Sequence, residues 1–182
     1  VPQQGGLNAQ AMLGVDGTES RRAYLLLHAE PEFDCANPVA ARAALEKADL
    51  VVVLSEFRTA MRYADVLLPI APFTETSGTF VNCEGRAQRF HGVVQPAGQA
   101  RPGWKVLRVL GTMLGLPGFE FDSAEQIRDA ILGPSGTLEG KLSNATSVGL
   151  VAPPKPAGGV ERVADIPIHF ADPLVRRSTS LQ

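Results

Sequence analysis

Short apolar runs alternate with one helical segment in the first third of this 182-residue sequence. Ala23–His28 and Leu50–Leu54 have the length and composition of buried strands, and Val66–Ile70 predicts a third strand. Asn37-Pro38 predicts a helix between the first two strands, because Asn is a favoured N-cap and Pro fits the first helical position. The predicted apolar face of this helix consists of Ala40, Ala43, Ala44 and Ala48. With a further short helix at 57–64, this order of elements predicts parallel β–α–β units.

Two amphipathic helices are predicted after the third strand. The first spans Gly103–Leu114 and shows an apolar face at helical spacing, made of Val106, Leu107, Leu110, Met113 and Leu114. The second spans Ala124–Leu132, where Ser123 and Gln126 fit a capping box. Residues 135–159 are rich in Gly and Pro and are predicted to be a linker, whereas 160–174 is predicted to dock as an extended strand, with Ile166, Ile168 and Phe170 alternating. The first 19 residues show no periodic segment.

Composition excludes several classes of protein. A net charge of −2 gives no basic face for nucleic acid. No apolar run approaches the roughly 20 residues that span a bilayer, and no secretory signal is present, so a cytoplasmic location is expected. Cys35 and Cys83 provide neither a disulfide framework nor metal-ligand spacing. The first residue, Val1, and the final Leu181-Gln182 predict a piece of a longer protein.

Other chemistry-bearing patterns fail on inspection. Gly136–Lys141 resembles a phosphate loop but is one residue short, and Leu142 follows the Lys in place of Ser or Thr. His28, His91 and His169 lie in separate contexts without a partner at ligand spacing. The charges of Glu32 and Asp34 should raise the pKa of the Cys35 thiol, which argues against a nucleophile. We therefore expect no catalytic residue and no metal site in this chain.

The polar segment after the third predicted strand is the first candidate site, because ligands of open α/β sheets bind beyond the carboxyl ends of strands. Its candidate residues are Glu75, Gly78, Thr79, Asn82, Glu84, Gly85 and Arg86. The glycines allow positive φ or close backbone approach, and Thr and Asn can hydrogen-bond exposed backbone groups. Arg86 can pair with Glu75 or Glu84, or bind a phosphate. The residues alone leave two interpretations open: a polar network that stabilises a long loop, which is favoured, or a ligand site.

These residues also carry a family resemblance. The sequence ADVLLP at 64–69, followed by ETSGTFVNCEGRAQ at 75–88, resembles the hallmark of the molybdopterin oxidoreductase superfamily. Within it, QPAGQARPGWKVLR at 95–108, DIPI at 165–168 and ADPLVRR at 171–177 are most similar to the large iron–sulfur subunit of bacterial NADH:quinone oxidoreductase (complex I, the respiratory NADH dehydrogenase). The match runs from about residue 23 to 132 and resumes near 160.

The resemblance implies a Rossmann-like three-layer α/β/α fold with a short, mostly parallel sheet over residues 1–134, and a Pro/Gly-rich extension over 135–182. It implies iron–sulfur clusters in the N-terminal part of the parent chain and none here, since two distant cysteines cannot hold a cluster. Molybdenum and its pterin are expected to be lost, so the seven candidate residues would be structural.

The resemblance also implies partners and a location. The expected partners are other subunits of the complex I peripheral arm, with neither nucleic acid nor direct membrane insertion. The expected location is the cytoplasmic face of the inner membrane, reached through the complex. One alternative is the cofactor-binding domain of an active molybdopterin enzyme such as a formate dehydrogenase. Another is a free-standing binding module unrelated to electron transfer.

Overall fold

The computed structural model describes residues 6–14, 17, 19–82, 84–133, 170 and 172–180. The chain divides into two compact units, Val1–Gly140 and Lys141–Gln182. In the first unit the helices are α1 (Ala9–Met12), α2 (Pro31–Asp34), α3 (Pro38–Glu46), α4 (Gly103–Met113) and α5 (Ala124–Leu132), and the strands are β1 (Ala23–Leu27), β2 (Leu50–Ser55), β3 (Val66–Pro69), β4 (Gly78–Val81) and β5 (Ala87–Phe90). Among the described residues, no helix has the length and apolar character needed to cross a bilayer.

The sheet formed by the first three strands is parallel and has the order β1-β2-β3. This arrangement confirms the predicted β–α–β units and the predicted α/β class with a short parallel sheet. The link from β1 to β2 runs through α2 and α3, and the link from β2 to β3 contains a 3-10 helix at Thr59–Arg62 where a short helix was predicted.

Helix α3 begins where the sequence predicts, because the Asn37 side chain accepts a hydrogen bond from the Ala40 amide at 3.0 Å. The predicted apolar face is wrong by part of a turn. The buried residues are Ala41, Ala44 and Leu45, whereas Ala43 is exposed. Their i, i+3 and i+4 spacing defines one face of a helix. The alanine pattern alone does not identify this face, because it leaves out Leu45.

One face of the parallel sheet carries the core. Val51 and Val53 of β2 pack in a single apolar cluster with Leu45 of α3, Ala60 and Tyr63, and the cluster extends to Tyr24, Leu26 and Leu67. The opposite face consists of Ala23, Leu25, Leu27, Leu50, Val52, Leu54, Val66 and Leu68, which alternate with the core residues along the three strands. All eight are apolar, and we call this surface the open face.

After β3 the chain forms a long loop and then pairs with the edge of the sheet again at Arg101. Ile70 and Arg101 form an isolated parallel bridge, in which the Ala71 amide donates to the Arg101 carbonyl at 2.9 Å and the Arg101 amide donates to the Pro69 carbonyl at 3.3 Å. Residues 72–100 between these contacts are the motif loop. The loop contains an antiparallel hairpin of β4 and β5 that the sequence analysis missed.

The two later helices lie close to their predicted positions. The Ser123 hydroxyl accepts from the Gln126 amide at 3.2 Å, and the Gln126 side chain accepts from the Asp122 amide at 2.7 Å, as in a capping box shifted by one residue. The predicted face of α4 is wrong at its end, because Met113 is 80% exposed and Leu114 lies past the last turn.

In the second unit the described residues form a 3-10 helix, Val175–Arg177, preceded by a turn at Asp172–Leu174. Asp172 shapes this turn, since its carboxylate accepts from the amides of Leu174 and Val175, both at 2.8 Å. The predicted strand is therefore wrong at residues 172–174. Phe170 is in a 3-10 turn, so the predicted strand is wrong there as well. Residues 160–169 and 171 of that prediction, the linker at 135–159 and the phosphate-loop-like segment lie outside the described residues.

Candidate functional site

The carboxyl ends of β1 and β2 bring His28 and Glu56 together. Each residue directly follows its strand, and the His28 amide continues the ladder by donating to the Leu54 carbonyl at 3.1 Å. The His28 Nδ1 lies 3.0 Å from the Glu56 Oε2. His28 has a φ of 51°, a left-handed conformation that is uncommon outside glycine. The pair thus stands at the edge where open α/β sheets hold ligands.

Glu56 is mostly buried, and its ionisation reflects two opposing effects. Burial on its own would raise the pKa of the carboxyl group, but hydrogen bonds from His28 and from its own backbone amide, together with the charge of His28, lower it overall. The net result is a pKa below the ordinary value, so Glu56 is a carboxylate near neutral pH.

A second polar group lies beside this pair. Glu30 is 4% exposed and accepts a hydrogen bond from the Thr59 hydroxyl at 2.6 Å. Nearby, the Tyr63 hydroxyl donates to Glu32 at 3.1 Å, and burial together with the negative charge of Glu32 raises the pKa of Tyr63. These hydrogen bonds connect the N-cap and first turn of α2 to the 3-10 helix Thr59–Arg62 and its C-cap Tyr63.

The start of α4 packs against the carboxyl end of β1, next to His28. A Cβ atom added at Gly103 would lie 3.4 Å from the Leu27 side chain and 3.6 Å from both the His28 Nε2 and the Ile70 side chain. Gly103 is buried, and these distances are ordinary van der Waals contacts, so a methyl group would also fit between the helix start and β1.

In the motif loop, Asn82 organises the turn between β4 and β5. Its side-chain oxygen accepts from the Glu84 amide at 3.0 Å and from the Arg86 amide at 2.9 Å. The Gly85 amide donates to the Asn82 carbonyl at 2.9 Å, and Gly85 has a φ of 77° that favours glycine. Four of the seven candidate residues therefore define the geometry of one turn.

Glu75 and two glycines hold the base of the loop. The Glu75 carboxylate accepts from the Ala97 amide at 2.9 Å. A Cβ at Gly78 would come within 2.6 Å of the Phe90 ring, and a Cβ at Gly92 within 2.7 Å of the Thr76 amide nitrogen. These glycines make room for neighbouring parts of the chain itself.

Of the uses that the sequence left open for Arg86, pairing with a carboxylate is not seen in the described ranges. The side chain of Arg86 is exposed at the hairpin turn, and within the described ranges it forms no ion pair with Glu75 or Glu84. Glu75 instead bonds a backbone amide at the loop base, and Glu84 is exposed. In this structure neither carboxylate depends on the Arg86 charge.

A polar cleft of about 580 Å³ lies between the loop base and the starts of α4 and α5. Its charged residues have both signs and comprise Glu75, Arg101, Lys105, Asp122 and Glu125. Glu75 is the one candidate residue among its lining, and Thr79 is a β4 residue paired with Arg89. The seven residues thus do not converge on one cavity.

The remaining sequence expectations concern cysteine and metals. Burial, followed by the charges of Asp34 and Glu32, raises the pKa of Cys35, which confirms the predicted direction. Within the described ranges, no three His, Cys, Asp or Glu side chains come together as a metal site. The sequence analysis missed the His28–Glu56 pair, because it placed His28 inside the first predicted strand and ended the second at Leu54, whereas each residue directly follows its strand in the structure.

Comparisons with known proteins identify a family and several relatives that this chain resembles. The family described as molybdopterin oxidoreductase matches residues 3–113. A protein of Staphylococcus haemolyticus that carries the provisional name formate dehydrogenase is 34% identical over 140 residues, which is 76% of this chain and 14% of that protein. A Staphylococcus aureus protein with the same provisional name is 34% identical over 131 residues, or 71% of this chain and 13% of that protein.

The acetylene hydratase of Pelobacter acetylenicus has a similar fold, with a TM-score of 0.55 and 24% identity, over 66% of this chain and 17% of the hydratase chain. The present chain spans about a seventh of the length of the curated relatives it matches.

Proposed function

This chain belongs to the molybdopterin oxidoreductase family, and from that premise we propose that it is a structural module without a redox centre of its own. We place it in the large iron–sulfur subunit of a bacterial NADH:quinone oxidoreductase. The structural role is supported by one observation: side chains of the motif hydrogen-bond backbone amides of the same loop. Asn82 bonds the amides of its own turn, and Glu75 bonds the amide of Ala97.

The motif residues do not fit a pterin site. In a cofactor cradle, glycines leave room for the ligand, but here the space beside Gly78 and Gly92 is filled by Phe90 and by the loop backbone. The exposed Arg86 stands at the hairpin turn, and Glu75 lies at the loop base. These groups therefore lie at separate places along the loop and do not form one polar cradle.

The assignment to complex I is supported by the sequence at 95–108, which runs from the loop base into α4 and is typical of the large iron–sulfur subunit. The proposal places the chain in the peripheral arm, in contact with other arm subunits, at the cytoplasmic face of the inner membrane. Its contribution there is to support the electron path from NADH to quinone, whose iron–sulfur clusters would lie elsewhere in the same subunit.

A second candidate is the cofactor-binding part of a formate-oxidising molybdopterin enzyme. It is favoured by the provisional names of the staphylococcal relatives, which match this chain over about three quarters of its length. In that case the cofactor would have to be held by residues outside the motif loop.

Purification from the native host separates the two candidates. A tag on the chromosomal gene allows the protein to be isolated with its partners, and its iron and molybdenum contents are then measured by mass spectrometry. The structural proposal predicts iron without stoichiometric molybdenum, together with NADH-dependent quinone reduction in the same fraction. One molybdenum per protein, with formate-dependent dye reduction, would overturn it in favour of the second candidate.

A further inference from the structure

We draw no further inference here: the strongest candidate, the exposed side chains of Phe80, Val81 and Arg89 on the hairpin of β4 and β5, carries none, because nothing in the structure shows what covers this surface.

Discussion

In the core between α3 and the parallel sheet, Leu45, Val51 and Val53 are at most 1% exposed, whereas in the motif loop that follows the sheet, Phe80 is 61% exposed. The sheet is stabilised by removing aliphatic side chains from water. The loop is stabilised by hydrogen bonds to its own amides, by close packing at glycines, and by a half-exposed cluster of Phe73, Phe80 and Phe90, in which Phe80 and Phe90 stack at 4.6 Å. A motif rich in polar residues can thus specify a shape without forming a binding site.

The largest effect should come from a cavity in the sheet core. Leu45→Ala removes a side chain that is 1% exposed, and the free energy of unfolding should fall by about 2–5 kcal/mol. Urea denaturation followed by circular dichroism measures this loss. Val39→Ala on the exposed side of the same helix is the control and should change it by less than about 0.5 kcal/mol. Similar losses for both variants would show that the sheet is not the main source of stability.

Overpacking the loop base should have the next largest effect. In Gly92→Ala the new methyl group would meet the backbone of Glu75 and Thr76 at under 3 Å, and backbone atoms cannot move aside as a side-chain end can. We expect a loss of about 1–3 kcal/mol in the same assay. Val94→Ala, at an exposed position in the same segment, should be nearly neutral. An unchanged Gly92→Ala variant would mean that the loop base is looser than its contacts indicate.

Removing the organiser of the hairpin turn should cost less. Asn82→Ala deletes the acceptor for two amides, which should lower the free energy of unfolding by about 1 kcal/mol because the freed amides are accessible to water. Arg86→Ala, four residues away, should stay within about 0.5 kcal/mol. Comparing the two variants separates a hydrogen-bonding role of Asn82 in the turn from an ion-pairing role of Arg86. A larger loss of stability for Arg86→Ala than for Asn82→Ala would support the ion pair.

The smallest effect should appear as a pH dependence. The pKa of Glu56 is lower in the folded chain than its ordinary value of 4.5, so its contribution to stability is full above about pH 4.5 and is lost as the pH falls through the lower folded value. Glu56→Gln should therefore flatten the fall in stability of the wild-type chain on acidification. Urea titrations at several pH values below 6 measure the slope, and Glu46→Gln at an exposed position on α3 is the control. Parallel slopes for wild type and Glu56→Gln would exclude this linkage.

The sequence was most informative where the structural signal is local. Helix α5 was predicted to the residue because its Ser123 cap and Gly133 stop lie next to it in the chain, and β1 to β3 were found because buried parallel strands are continuous apolar runs. The hairpin was missed because β4 and β5 have four residues each and alternate imperfectly. The short helices α1 and α2 have a single turn each, too short for a periodic signal.

The candidate site shows the same limit. The roles of Asn82 and Gly85 are local, since a turn residue acts on amides two to four positions away, and both were singled out by residue type. A pairing of Arg86 with Glu75 depended on how the loop between them folds, which the sequence does not show. His28 and Glu56 are 28 positions apart, and the parallel register of β1 and β2 brings them into contact. Strand assignment combined with that register would have been enough to find them.

The bridge between Ile70 and Arg101 pairs the two ends of the motif loop like adjacent strands, and we call this pairing the neck of the loop. Changes in the length of residues 72–100 would not reach the sheet, because the distance between the ends is set by backbone hydrogen bonds at the neck. The entropic cost of closing a loop also rises slowly with its length, by about 0.6 kcal/mol for each doubling. Insertions or deletions at the exposed hairpin turn should therefore leave the register of the parallel sheet unchanged, because the neck fixes where the loop begins and ends.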